Sequence, residues 1–190
     1  VIRQLICFLL LLVPALAHGQ AEVQRHGLTF EEWVATTFFG GVQADSPTAK
    51  WDIPAEANRD HGGVPVNPKA TRIGEPVMFG DALRQFDIDE PFLLIVGFWR
   101  QDGKNKRFAQ SLTAHITPEQ WRDLWSPVKR EDLERLDALV KDTTVSIEEA
   151  RRRALKIKRE PPFSEAVIQG NPKIAARQRR LQCSISYVRI

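Results

Sequence analysis

The chain has 190 residues, 43% of them hydrophobic, with ten Phe and five Trp. That is enough apolar mass for one compact domain plus an appendage, and it excludes wholesale disorder. The formal net charge is +3, but residues 1–125 carry 12 Lys+Arg against 15 Asp+Glu while residues 126–190 carry 15 against 9. The basic C-terminal third suits a polyanionic partner and suits a solvated basic helix equally well.

In chain order, residues 1–17 come first. Arg3, an apolar run from Leu5 to Ala17 and the small-x-small sequence Ala15-Leu16-Ala17 form a signal-peptide-like segment. The run is short for a membrane span, which needs roughly 20 apolar residues. If the segment is a signal, the protein is exported, periplasmic or extracellular; otherwise it is cytoplasmic. Cys7 would leave with it, and Cys183 alone makes neither an intramolecular disulfide nor a zinc site.

Capping boxes mark three helix starts. Thr29 with Glu32 opens "FEEWVATTFF". Thr117 with Gln120, and Pro118 between them, opens "PEQWRDLW". Ser146 with Glu149 opens "IEEARRRALKIKR", whose Ile147, Ala150, Ala154 and Ile157 share one face. A further helix is expected over 130–141. Strands are expected at 51–55, 64–71, 92–101 and 106–116, with a last one through 181–190. The continuous apolar run 92–99 suits a strand buried on both faces. The turn cluster 102–106 makes a hairpin with the strand that follows. The order predicts an α/β (α+β) domain over 25–190 with a mixed central sheet flanked by helices. A helical, basic excursion is expected at about 126–165. The five tryptophans read as core anchors rather than base-stacking platforms.

The segment "KWDIPAEANRDHGGVPVNPKAT" carries the chemistry. If 51–55 and 65–71 pair about a turn near residue 60 or 61, position 52 lies opposite position 69. Positions 67 and 69 share a face because the strand period is two. Asp52, Asn67 and Lys69 then converge on one patch. Metal-assisted phosphodiester cleavage needs a carboxylate for a hard cation and a lysine to stabilise developing charge. The same residues also read as a plain cross-strand ion pair. Pro65 and Pro68 donate no amide, so the strand has an edge or an irregular stretch there. No G-x-S-x-G, H-E-x-x-H, P-loop or G-x-G-x-x-G motif occurs, and the four histidines lack metal-ligand spacing.

This layout resembles the PD-(D/E)xK nuclease superfamily, the fold of many restriction endonucleases. The matching pieces are the helix "FEEWVATTFF", Asp52 in "KWDIP", Asn67-Pro68-Lys69 in "VNPKAT", the stretch 79–101 and "NPKIAARQRRLQCSI" at 171–185. The resemblance implies a restriction-endonuclease-like fold and a metal-dependent DNA endonuclease (a hydrolase) using Mg²⁺ or Mn²⁺. Asp52 is then a metal ligand and Lys69 the catalytic lysine. Asn67 stands where the family has an acid and brings a carbonyl oxygen but no charge. Glu31 is the first candidate for the missing carboxylate, ahead of Glu56, which lies roughly 13 Å along the strand from Asp52. Lys173, Arg177, Arg179, Arg180 and Gln182 are the expected nucleic-acid contacts. DNA is the expected partner and a homodimer the expected assembly. The alternatives are an inactive DNA-binding protein on the same fold and an exported binding or structural protein.

Overall fold

A computed structural model describes residues 30–44 and 49–190 of the chain. The signal-like segment 1–17, Cys7 and the Thr29 cap lie outside the described residues. Helix α1 occupies 30–38. A 3-10 helix, Ala55–His61, precedes strands β1 (Val66–Arg72) and β2 (Val77–Asp81), helix α2 (Ala82–Phe86), and the long hairpin β3 (Phe92–Asp102) and β4 (Asn105–Ile116). Helices α3 (Pro118–Trp125), α4 (Arg130–Lys141) and α5 (Ile147–Arg159) follow, then strands β5 (Ile168–Ala175) and β6 (Gln178–Ile185). Among the described residues no helix is long and apolar enough to cross a membrane.

The protein is α+β, but its strands form two three-stranded sheets rather than one central sheet. The first has the order β1-β3-β4, with β1 parallel to β3 and β3 antiparallel to β4. The second is antiparallel, with the order β2-β6-β5. The chain leaves the first sheet after Arg72 through a turn, which the Thr71 hydroxyl ties down by donating to the Pro76 carbonyl at 3.0 Å. β2 then pairs with the distant β6 instead of returning along β1. A bulge between Met78 and Gly80, with Gly80 at φ 89°, ends β2 and aims the chain into α2. Asp81 caps that helix through the Arg84 amide at 2.9 Å.

Several expectations hold in detail. Thr117 and Gln120 form the reciprocal capping box at the start of α3, Ser146 accepts from the Glu149 amide, and the helix expected over 130–141 is α4. β3 is the middle strand of its sheet and buries Phe92, Leu94, Val96 and Phe98. Other expectations need correction. No strand runs over 51–55: Ile53 makes a single antiparallel bridge to Val66, and the chain then turns into the 3-10 helix, with Glu56 in its first turn. β2 and β5 had no counterpart in the sequence reading.

The segment 126–165 is not an excursion. Leu133, Leu136 and Val140 of α4 and Ala150 and Ala154 of α5 bury in the same cluster as Leu94 and Val96 of β3 and Ile168 of β5. Their spacing of three and four residues gives each helix one apolar stripe, so the charged residues cover only the outward side. Trp121 and Trp125 are core anchors at 1% exposure, whereas Trp33 is 52% exposed. A smaller cluster of Phe30, Val34, Ala35 and Phe39 from the α1 segment with Ile53 and Val66 lies against the first sheet. Gly97 of β3 makes that packing close, since a Cβ there would overlap the Phe30 ring and meet Phe108 at 2.9 Å.

Candidate active site

The site is assembled at the free edge of β1 by three separate segments. The Ile53–Val66 bridge is closed by two backbone hydrogen bonds, 3.1 Å and 2.9 Å. This register sets Asp52 across from Asn67, two positions from the pairing with Lys69 expected from the turn. A slip of two residues keeps every side chain on its face, where a slip of one would invert them. Asp52, Asn67 and Lys69 therefore still share a side, and the long lysine stem covers the remaining offset. Lys69 Nζ donates to Asp52 Oδ2 at 2.5 Å.

The segment before the bridge is pinned from outside. The Trp51 indole donates to Glu90 at 2.8 Å and packs on Phe92 with ring centroids 4.9 Å apart. Lys50 pairs with Asp89 at 2.8 Å and Glu90 at 2.9 Å. After the bridge, buried Asn58 donates to the Val64 carbonyl at 2.6 Å, and Gly62 and Gly63 take positive φ, at 107° and 66°. These glycines close the loop that returns the chain to β1. Pro68 alternates with Val66, whose amide points to Ile53 and away from β3. The amide that Pro68 lacks therefore faces the open edge, where no ladder partner is missing.

The third contributor is α1. Phe30, Val34 and Ala35 bury against the sheet, and Glu31 rides beside them. Its carboxylate lies 3.9 Å from Lys69 Nζ. The Lys69 side chain is 16% exposed, Glu31 26% and Asp52 35%. Burial pushes the Glu31 carboxyl up to about 7; Lys69 pulls it down and Asp52 pushes it further up. Two carboxylates thus share one ammonium, and desolvation of Glu31 outweighs the help it gets from that ammonium. Asn67 is 2% exposed.

Among the described residues no three His, Cys, Asp or Glu side chains gather into a metal-holding group. The donor set at the β1 edge is the carboxylates of Glu31 and Asp52; Asn67 is buried on the strand face of Asp52 and Lys69, and α1 packs on the other face. That set suits a hard oxygen-preferring cation, which is commonly held by one or two carboxylates with water and substrate phosphate completing the shell.

Of the expected residues, Glu31, Asp52 and Lys69 come together, Asn67 lies on the strand face of Asp52 and Lys69, opposite the face that α1 covers, and Glu56 stands apart in the 3-10 helix. The expected nucleic-acid contacts divide. Lys173, Arg180 and Gln182 lie on one face of the β5–β6 ribbon, because Lys173 is paired with Arg180 and Asn171 with Gln182. Arg177 is exposed in the turn between these strands. Arg179 belongs to the opposite face and is taken up internally: its guanidinium donates to the Asp142 carbonyl and, at 3.0 Å, to the Val145 carbonyl. It clasps the loop after α4, a structural task that removes it from the list of phosphate contacts. The sequence did not point to Trp51, Asn58 and Glu90 as residues that hold the segments on either side of Asp52 in place; only the turn expected near residue 60 or 61 hinted at the loop. No family model, no curated protein and no solved structure matches the chain.

Proposed function

We propose that the chain is a divalent-metal-dependent DNA endonuclease of the restriction-endonuclease-like kind, with Glu31, Asp52 and the Asn67 carbonyl as ligands and Lys69 as the catalytic lysine. The observation that carries the reading is the convergence of Glu31 and Asp52 on one lysine, with the Glu31 carboxyl raised to about 7. Perturbed carboxyls beside a specific charge partner mark functional sites more often than surface ion pairs do. A Mg²⁺ or Mn²⁺ ion bound there would polarise a phosphate oxygen and acidify a bound water.

The chain's own residues supply the rest. Lys69 sets a positive charge beside the carboxylates, where negative charge grows on the phosphate as water adds to phosphorus and the ester oxygen leaves. Asp52 holds that ammonium in place in the absence of substrate. Glu31, half-desolvated, exchanges a proton near neutrality. Asn67 contributes an oxygen without charge, so the site carries one negative charge fewer than a three-carboxylate set and draws more of its cation affinity from substrate phosphate.

The test is nicking of supercoiled plasmid with Mg²⁺ or Mn²⁺ by the wild type, Asp52→Ala and Lys69→Ala. Cutting by the wild type that both substitutions abolish supports the proposal; a pure, folded wild type that cuts under neither metal defeats it. A second reading, a DNA-binding protein without catalysis, is favoured by the 2.5 Å Lys69–Asp52 contact, which closes as a self-sufficient cross-strand pair. Salt-dependent DNA binding without cutting would select it.

A further inference from the structure

We propose that the outward face of the β5–β6 ribbon, where Lys158 of α5 meets Asn171 and Lys173, is a second site that binds the phosphate backbone of a polynucleotide. It rests on the DNA-directed reading above, but it is built from α5, β5 and β6, none of which supplies Glu31, Asp52 or Lys69.

The strand period sorts the ribbon into two faces. Ile168, Ile174, Leu181, Cys183 and Ile185 go to the core. The register pairs Gln169 with Ser184, Asn171 with Gln182 and Lys173 with Arg180 on the other side. On these two strands that second face holds donors and cations; next to Gln182 stands Asp81 of β2, whose carboxylate accepts from the Arg84 amide. Asn171 is fixed at both ends of its amide: Nδ2 donates to the Ser184 hydroxyl oxygen at 2.6 Å, and Oδ1 accepts from Lys158 Nζ at 3.1 Å. Ser184 is itself buried, at 4% exposure. The network therefore holds a lysine head in a fixed, half-buried position, which a solvated helix face would not do.

The second observation is electrostatic. Burial, and then the neighbouring Lys173, hold the Lys158 ammonium below its ordinary range. Among the described residues no carboxylate pairs with either lysine. Two ammonium groups that repel each other, one half-desolvated, cost free energy until an anion arrives. With one N–H of Lys158 used by Asn171, the pair still offers five N–H donors and no acceptor, a set that matches phosphate oxygens. Arg180 and Gln182 extend the row along β6, and a row of donors suits an extended polyanion better than one small ion.

The experiment measures fluorescence anisotropy of a short duplex DNA with the full chain in EDTA, so that cutting plays no part, at salt from 50 to 200 mM. The wild type, Lys158→Gln with Lys173→Gln, and the same pair changed to Arg are compared. We expect the Gln pair to weaken binding and to lower the slope of log affinity against log salt by about 1 to 2, and the Arg pair to keep the wild-type slope. An unchanged slope in the Gln pair overturns the proposal. So does a loss equal in the Gln and Arg pairs, which would mark a packing role for the lysine stems. Phosphorus NMR with inorganic phosphate separates the ligand sources: phosphate binding that the Gln pair removes while DNA binding is untouched would make the site one for free phosphate and reject the polynucleotide. Failure of the nuclease reading shows as an uncut plasmid with the slope change intact; failure of this one shows as unchanged slope whatever the plasmid does.

Discussion

At the β1 edge of the first sheet two carboxylates share one ammonium, whereas on the outward face of the second sheet Lys158 and Lys173 repel each other and, among the described residues, neither is paired with a carboxylate. The two arrangements are unbalanced in opposite senses. In the first, the one proposed to take a cation, Glu31 is raised to about 7 because burial outweighs Lys69. In the second, the one proposed to take an anion, Lys158 is lowered by burial and Lys173. Desolvation acts on both and always against the charged form. What separates them is the neighbour, and in both cases a residue on a helix, Glu31 of α1 or Lys158 of α5, is packed beside a lysine on a strand. A phosphodiester bridged by a cation presents both kinds of partner at once.

This comparison breaks most directly at Lys69. If the first site is catalytic, Lys69→Ala should lower the cleavage rate by about 10² to 10³, the scale of losing one positioned charge from a reacting centre. DNA affinity in EDTA, which the second proposal assigns to the second sheet, should stay within a factor of about 3. Equal loss of cutting and binding would merge the two sites into one. Gly97→Ala tests how α1 carries Glu31. The added methyl overlaps Phe30 and meets Phe108 at 2.9 Å, so overpacking should cost about 1–3 kcal/mol in a urea melt and displace Glu31. The second site should be untouched.

Glu31→Gln sharpens the electrostatic side. Glu31 titrates at its ordinary 4.5 in the unfolded chain and near about 7 in the fold, so the fold binds that proton more tightly. Its stabilisation is complete below 4.5 and is lost as pH rises through about 7. Without added metal, the wild-type urea midpoint should fall between pH 5 and pH 8 by more than that of Glu31→Gln. Identical pH profiles would remove the buried-carboxyl account. The smallest effect is expected at Thr117→Ala, which deletes the α3 capping box for about 1 kcal/mol. It should leave both plasmid cutting and the salt slope of DNA binding unchanged, which makes it a control for general destabilisation.

The parts of this fold that were legible in the sequence are those set by local chemistry. Thr117-Pro118-Glu119-Gln120 fixes a helix start within four residues, and the stripe Leu133, Leu136, Val140 fixes the buried side of α4. The site was legible because parity survives error: the turn suggested the wrong opposite number for Lys69, yet a two-residue slip left Asp52, Asn67 and Lys69 on one side. Glu31 was named only through the resemblance, as a stand-in for the missing acid, and the fold brings its carboxylate to 3.9 Å from Lys69 Nζ.

The remainder was hidden for physical reasons. β5 reads "IQGNPKIA", and Gly170, Asn171 and Pro172 advertise a turn, but an edge strand tolerates a proline and the pairing comes from β6. β2 has five residues and ends at a glycine bulge, too short for a period to register. The split into two sheets is a tertiary choice, made where β2 finds β6, and nothing within the local sequence encodes it. Trp33 misled because an aromatic on an amphipathic helix reads as core until the width of the buried stripe is known.

Pro68 has a consequence for the protein's behaviour in solution. An exposed strand edge is a template on which a second chain can zip, and sheets ordinarily guard such edges with charge or irregularity. Here the guard is a missing hydrogen-bond donor placed between Asn67 and Lys69, beside a lysine that points its charge at the same margin. The edge of β1 therefore carries two of the devices by which sheets discourage pairing with another chain, a proline and a lysine, within three consecutive residues.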